Sequence, residues 1–206
     1  MGSRDKDIKS LQDKLKVFFK KGASAALPAR NELLVSPDLE RELGADSPPQ
    51  RRLRALKELG DKVPSLRIQE GTVRKLWICT RDLLDDTNTE ARHAELTFLR
   101  IILEGQADGP ADELTIMRTI FFNYLQKSHA NHPPEDSQLR FRLLHALTNT
   151  GKNITCFEEQ IGSFLLEWLP QIQNPALIVE FLQLVINVVK YNATYLDEEI
   201  VHGIVK

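Results

Sequence analysis

Apolar residues recur at intervals of three and four along most of this chain, which is the spacing of helices that bury one face. The pattern is strongest from about Ile68 onward, where glycine and proline residues separate successive apolar stretches. Strict alternation of apolar and polar residues, the mark of a half-buried strand, gives no convincing strand there. The pattern predicts seven helices, at 68–84, 89–104, 111–128, 137–150, 156–169, 175–191 and from 197 to the end.

Alternate predicted helices begin about 40 to 45 residues apart, which is the repeat length of HEAT and armadillo proteins. A single helix pair cannot bury its own apolar stripe, so neighbouring pairs have to stack. We therefore predict an all-α fold, a HEAT/armadillo-like solenoid of helical pairs over residues 66–206. The last segment, 200–205, is apolar where a terminal repeat should become polar. The solenoid is therefore expected to be truncated at its C-terminal end.

Particular residues predict where several of these helices begin and end. Asn174 followed by Pro175 is a typical helix start, and Gly151 suits the left-handed position after a helix. Thr155 and Glu158 have the spacing of a capping box. The predicted buried stripe of the 175–191 helix consists of Phe181, Leu182, Val185 and Val189.

Two further regions precede the predicted solenoid. Residues 1–21 are predicted to form a basic amphipathic helix, which packs on its own domain or contacts an anionic membrane surface through residues 8–20. Residues 22–65 are predicted to be a linker with two short helices. The expected starts and ends of these two helices are Ser36-Pro37 to Gly44 and Ser47-Pro48 to Gly60.

Charge and cysteine content narrow the function classes. Lys and Arg total 27 against 29 Asp and Glu, for a net charge of -2, so no excess of positive charge indicates a nucleic-acid partner. Cys79 and Cys156 each lie in an apolar helical pattern, which favours reduced thiols in a cytoplasmic protein over a disulfide. No apolar run of about 18 residues stands out, so neither a secretory signal nor a membrane-spanning helix is expected.

One spacing in the sequence is that of a metal site. Glu90 with His93, and Glu199 with His202, have the Glu-x-x-His spacing of half a di-iron carboxylate site. Such a site also needs inward-facing Glu residues from two more helices. The alternative is that each Glu stabilises the first turn of a helix beside an incidental His.

Other chemistry has less support. His129 and His132, close to two acidic residues, suggest a metal-binding loop, but the two prolines between them and the next helix favour a solvated connection. No glycine-rich phosphate loop or nucleophile elbow occurs in the sequence. We therefore predict that this chain is not an enzyme and has no catalytic, cofactor-binding or metal-binding residues.

Two groups of residues are candidates for binding a partner. A basic cluster on the second short helix either binds a phosphate or an acidic partner or is simply solvated. A turn between the last two helices carries two tyrosines beside charge, and aromatic residues are enriched at interfaces; the alternative is that these tyrosines wedge adjacent repeats together. The basic cluster is Arg51, Arg52, Arg54 and Lys57, and the predicted partner-binding residues are Lys190, Tyr191, Asn192 and Tyr195.

Several stretches of the sequence resemble the tuberin family, the GTPase-activating subunits of the tuberin–hamartin complex. The resemblance covers residues from about 66 to 206 well, the N-terminal helix less well, and residues 22–64 poorly. The stretches that carry it are EARHA at 90–94, IILEGQ at 101–106, RTIFF at 118–122, ALTNTGKNIT at 146–155, LLEW at 165–168, VVKYN at 188–192 and YLDE at 195–198.

The resemblance implies a parent protein that activates the GTPase Rheb and negatively regulates TOR signalling. It implies that the activator domain lies C-terminal to this region, so that Rheb is bound only through a domain absent from this chain. It also implies contact with hamartin's coiled coil and recruitment of the complex to lysosomal or other membrane surfaces. We therefore expect the N-terminal scaffold of a tuberin-like GTPase activator; the alternatives are an unrelated helical-repeat adaptor and a metal-binding helical bundle.

Overall fold

The structure is a computed structural model that describes residues 31–107, 109–172 and 174–205. The predicted amphipathic helix at 1–21, with its membrane contact through residues 8–20, lies outside the described residues. Residues 32–206 belong to one compact unit, so the short helices of the predicted linker share a core with the predicted repeats. The division of the chain into domains at residues 21 and 65 stays a prediction.

Helices make up most of the described residues, which confirms the all-α prediction. A small two-stranded sheet pairs β1 (Asn31–Leu33) with β2 (Leu66–Ile68). The helices are α1 (Pro37–Leu43), α2 (Pro49–Lys62), α3 (Thr72–Thr80), α4 (Thr89–Gly105), α5 (Ala111–Lys127), α6 (Ser137–Leu147), α7 (Glu158–Trp168), α8 (Pro175–Asn192) and α9 (Glu198–Val205).

These helices alternate between two layers, as expected for stacked helix pairs. In one layer α4 packs between α2 and α6, and in the other α3 packs beside α5 and α7 beside α9. α8 extends the first layer, because the ring of Phe181 lies 6.2 Å from that of Phe141 on α6. The arrangement confirms the predicted solenoid of helical pairs.

Aromatic rings fill the space between α5 and α7. The ring of Phe122 stacks on that of Phe157 with 4.3 Å between their centroids and meets the edge of Phe164 at 5.4 Å. Aromatic pairs of this geometry contribute about 0.5–1.5 kcal/mol each beyond the burial of their surface. They hold together two successive helices of the second layer.

Several predicted helix starts and ends are confirmed. The Ser36 hydroxyl accepts a hydrogen bond from the Leu39 N–H, and the Asn174 side chain accepts one from the Ala176 N–H. Gly151 has a φ of 83°, the left-handed conformation that the sequence predicted. Ser36 and Asn174 each accept a hydrogen bond at the start of their own helix, so local sequence identifies them. Gly151 lies three residues beyond Thr148, the residue that caps the end of α6.

Three predicted boundaries are wrong. Thr155 does not cap α7, which begins at Glu158; the Thr155 N–H instead donates to the side chain of Asn153. Gly60 does not end α2, which continues to Lys62 and packs Gly60 close to α4. Ser47 does not cap that helix either, because Pro48 occupies the N-cap position.

The first long predicted helix begins later than expected. Ile68 belongs to β2, and α3 begins only at Thr72, after Gly71 has adopted a φ of 78°. The buried carboxylate of Glu113 on α5 accepts hydrogen bonds from the N–H groups of Gly71 (2.7 Å) and Val73 (3.3 Å). The start of α3 is therefore capped from a neighbouring helix, which local sequence cannot show.

We expect Glu113→Ala to lower the free energy of unfolding by about 2 kcal/mol, because it leaves two N–H groups at the start of α3 without an acceptor. Urea unfolding followed by circular dichroism measures the change. Asp112→Ala is the matched control, since Asp112 is an exposed neighbour on the same turn and should change stability by less than about 0.5 kcal/mol. Equal losses in the two variants would contradict the capping role.

Candidate partner-binding surface

One side of α8 is apolar and exposed. Its opposite side is buried in the core, through residues that include Phe181, Leu184 and Val188. On the exposed side, Val179 keeps 70% and Ile186 keeps 56% of its surface in contact with solvent. We call Val179, Leu182 and Ile186 the α8 seam.

The α8 seam has the spacing of a coiled-coil stripe. Its members are separated by three and then four residues, and the half-buried Val189 continues the pattern three residues later. Apolar residues at alternating intervals of three and four lie along one line of a helix, where a second helix can pack. The seam is therefore shaped for an apolar helix laid along α8.

The predicted partner-binding residues lie at the C-terminal end of α8 and just beyond it. Tyr191 and Tyr195 are exposed, and the ammonium nitrogen of Lys190 lies 5.2 Å from the ring centroid of Tyr191. Asn192 is buried, and its side chain donates to the carbonyl oxygen of Gly151 at 3.0 Å. The structure thus brings three of the four to the surface, and the fourth joins α8 to the preceding loop.

The sequence reasoning missed the α8 seam. It placed Leu182 in the buried stripe, but Leu182 is exposed and its place in the core is taken by Leu184. The available signal was that α8 is apolar on every side, because Val179 and Ile186 lie outside the predicted stripe. A helix that is apolar all round normally has a neighbour on each side.

The loop before α7 fixes the position of α8. The Asn187 side chain donates to the carbonyl oxygen of Thr150 at 2.8 Å, close to the bond between Asn192 and Gly151. From the other side, the Arg118 guanidinium on α5 donates to two carbonyl oxygens of the same loop. α8 is thereby connected to α5 through the loop at 148–157.

The basic cluster of α2 is neutralised within the chain. Arg51 pairs with Glu42 at 2.6 Å, and Lys57 pairs with Glu90 at 3.0 Å. Arg52 is buried and binds the carboxylate of Asp82. Arg54 pairs with Glu58 one turn further along the helix. The cluster therefore presents no group of unpaired cations to an anionic partner.

The residues with metal-like spacing have other contacts. Glu90 is bound to Lys57, and the Nε2 atom of His93 lies 3.0 Å from the carboxylate of Asp136. Burial lowers the pKa of His129 and of His132, whose rings pack against each other. Within the described ranges, no three His, Cys, Asp or Glu side chains are grouped to hold a metal ion.

The expectation of no membrane-spanning stretch needs correction. Residues Pro175–Tyr195 are long and apolar enough to cross a membrane by length and composition, with Glu180 and Lys190 as their charged residues. The core helix of a soluble protein passes the same test, and α8 buries Phe181 and Leu184 against its neighbours. Length and composition therefore do not distinguish a membrane-spanning helix from a core helix at this position.

Comparison with known proteins identifies the family. The family model described as "Domain of unknown function (DUF3384)" matches residues 49–206. The chain belongs to this family. DUF3384 is a family of tuberin N-terminal regions, and the match includes all of the α8 seam. The resemblance predicted from the sequence is therefore confirmed.

A solved structure supports the DUF3384 fold. The structure described as "Structure of the TSC2 N-terminus" is similar to this chain over 82% of its length, with a TM-score of 0.67 and 21% sequence identity. At this identity the likeness shows the fold, an all-α solenoid. The match covers 43% of that chain, so this DUF3384 chain corresponds to less than half of it.

Proposed function

We propose that this chain is the scaffold region of a tuberin-like GTPase activator, and that the α8 seam binds a helix of hamartin's coiled coil. The observation that carries the proposal is the exposed stripe of Val179, Leu182 and Ile186, in the spacing of a coiled-coil face. Membership of DUF3384, a family of tuberin N-terminal regions, also supports the proposal.

Burial of the α8 seam supplies the binding energy in this proposal. Completing the burial of a half-exposed Val, Leu or Ile side chain contributes on the order of 1 kcal/mol. Lys190 follows Ile186 by one helical turn and flanks the seam, at the position where coiled coils place charges that select the partner. The partner helix should therefore present Asp or Glu opposite Lys190. Tyr191 and Tyr195, both exposed, would contact the partner beyond the end of the seam.

The proposal assigns no catalysis to this chain. Activation of Rheb and negative regulation of TOR signalling would belong to the whole protein, through a domain C-terminal to this region. The scaffold would act in the cytoplasm as part of the tuberin–hamartin complex, without nucleic acid, metal or cofactor. The alternative within this family is a helical-repeat adaptor without a GTPase-activating role, which would use the same seam for a different helix.

We expect Ile186→Glu to weaken binding of hamartin's coiled coil at least about tenfold, because it places a charge in the centre of the seam. Co-purification followed by isothermal titration calorimetry measures the affinity. Ile78→Glu is the matched control, since Ile78 is an isoleucine on α3 with 66% of its surface exposed. Both variants should keep the wild-type melting temperature.

Two outcomes would contradict the assignment. If Ile186→Glu and Ile78→Glu bind equally well, the coiled coil docks elsewhere. If Ile186→Glu binds normally but lowers the melting temperature of the full-length protein, a helix of the same chain covers the seam. Binding of wild-type protein to an unrelated amphipathic helix with equal affinity would favour the general adaptor.

A further inference from the structure

Three arginine side chains are almost completely buried in the described part of the chain: Arg52, Arg92 and Arg140. Arg52 binds the carboxylate of Asp82, and Arg92 binds that of Asp136. Both are neutralised, as expected, because a buried charge without an opposite charge is strongly destabilising. Arg140 differs, since no carboxylate oxygen of the described residues lies within 4 Å of it.

The hydrogen-bond partners of Arg140 are all neutral groups. Its guanidinium donates to the carbonyl oxygen of Leu125 at 2.8 Å and to the hydroxyl of Ser128 at 2.9 Å, and it lies 3.5 Å from the hydroxyl of Tyr124. Its Nε atom is buried without a hydrogen-bond partner among the described residues. Burial lowers the pKa of Arg140. The carboxylate of Asp136 acts on Arg140 only from beyond ion-pair distance, and it is itself bound to Arg92.

Arg140 lies behind one wall of a cleft. Tyr124 and Ser128, which both contact the guanidinium, line a cleft of about 740 Å³ between α5 and the end of α3. Trp77 also lines the cleft, and the edge-to-face contact between its ring and that of Tyr124 spans 6.1 Å. The cleft therefore combines an aromatic lining with a buried positive charge.

Counting Arg140 behind the wall, three cations at the cleft lack an ion pair among the described residues, against two carboxylates. Arg81 and Lys127 line it, are exposed, and have no ion-pair partner within 4 Å among the described residues. Asp136 is already bound to Arg92. Asp86 accepts a hydrogen bond from a neutral backbone N–H group, which leaves its charge in place. Asp85 and Asp86 are therefore the two carboxylates that line the cleft without an ion pair among the described residues.

We propose that this cleft binds an anionic oxygen group, a carboxylate or a phosphate. Arg81 and Lys127 contact the anion, the Tyr124 hydroxyl donates to it, and Arg140 supplies its charge from behind. The Trp77 ring packs on the apolar part of the ligand. Charge-assisted hydrogen bonds of this kind are about twice as strong as neutral ones. The low dielectric constant of the protein interior behind the cleft strengthens them further. The site is separate from the α8 seam and independent of it.

The proposal can be tested by NMR titration, in which amide chemical shifts are followed at constant ionic strength. The three probes are inorganic phosphate, acetate and the peptide acetyl-Glu-Leu-Glu-amide, and chloride is the reference anion. We expect saturable shifts around the cleft, including the Trp77 indole. Lys127→Gln should raise the dissociation constant about tenfold, the loss of one charge-assisted bond. Lys75→Gln, an exposed lysine outside the cleft, should leave it unchanged.

The probes also separate the two sources of the anion. Saturation by phosphate alone supports a phosphate ligand, and saturation by the peptide alone supports an acidic side chain of a bound protein segment. Arg140→Met should abolish saturation while circular dichroism stays native, and unchanged affinity in this folded variant would overturn the role of Arg140. Absence of saturable shifts with every probe, or equal losses in Lys127→Gln and Lys75→Gln, would overturn the proposal as a whole.

Discussion

Gly151→Ala should lower the free energy of unfolding by about 3 kcal/mol or more, which combines left-handed strain with overpacking. Gly151 has a φ of 83°, and a Cβ atom there would overlap the carbonyl oxygen of Leu184 and lie 3.1 Å from the Cβ of Asn187. Both contacts belong to α8, whose backbone would have to move. Urea unfolding followed by circular dichroism measures the loss.

Comparison with Gly71→Ala separates the cost of left-handed backbone strain from the cost of steric overlap. Gly71 has nearly the same backbone conformation, with a φ of 78°, but nothing lies within 4 Å of a Cβ atom built there. This variant should lose only about 1–2 kcal/mol, the cost of a left-handed residue with a side chain. If the two variants lose equal stability, α8 has room to move at Gly151, and the tight contact does not contribute.

The sequence could predict the solenoid because its determinants are periodic and local. Each helix repeats its apolar residues at intervals of three and four, and residues such as Ser36 and Asn174 accept hydrogen bonds from their own backbone neighbours. Helix pairs then stack because each leaves an apolar face uncovered. The start of α3 shows the limit, since the cap that fixes it comes from Glu113 on another helix.

The loop before α7 was not predictable for a similar reason. Thr155 and Glu158 have capping-box spacing, but Asn149, Thr150 and Cys156 all adopt a positive φ, which non-glycine residues rarely do. Hydrogen bonds from Arg118, Asn187 and Asn192 hold this backbone from two other helices. Tertiary contacts therefore override the local capping signal.

The α8 seam was missed because periodicity does not show which side of an apolar helix has a neighbour. Leu182 and Leu184 are equally apolar in sequence, yet one is exposed and the other buried. The buried charges were also missed, since Arg52, Arg92 and Arg140 look like ordinary surface residues until their surroundings are known. Candidate sites of this kind depend on three-dimensional context.

Glu95 is a buried carboxyl group with a strongly shifted pKa. It is fully buried on α4, and one of its oxygens lies 2.7 Å from the Thr80 hydroxyl, which also lies 3.0 Å from the Leu76 carbonyl oxygen. Its other oxygen has no partner among the described residues. Burial raises the pKa of Glu95 to about 8. These hydrogen bonds are best satisfied when Glu95 is protonated. Its carboxyl group then donates to the Thr80 hydroxyl, while the Thr80 hydroxyl donates to the carbonyl oxygen of Leu76.

This pKa makes stability depend on pH in a defined direction. The folded state keeps the proton up to about pH 8, whereas the unfolded state releases it near pH 4.5. The contribution of Glu95 is therefore complete below pH 4.5 and is lost as the pH rises toward 8. The slope approaches about 1.4 kcal/mol per pH unit within that window. Stability contributed by His129, His132 and His145 instead increases with pH, because burial lowers the pKa of each.

Comparison of Glu95→Gln with the wild type isolates the carboxyl group, since the histidine contributions are common to both proteins. The glutamine is neutral at every pH and can donate to Thr80 as the protonated acid does. We expect the two proteins to be similarly stable at pH 5, and the variant to be more stable by on the order of 3 kcal/mol at pH 8. Urea unfolding at pH 5, 6, 7 and 8 measures the difference, with the exposed Glu70→Gln as the control that should follow the wild type. A constant difference between Glu95→Gln and wild type across this range would show that Glu95 is ionised in the folded protein, and the buried side chain would then need a cation or water that compensates its charge.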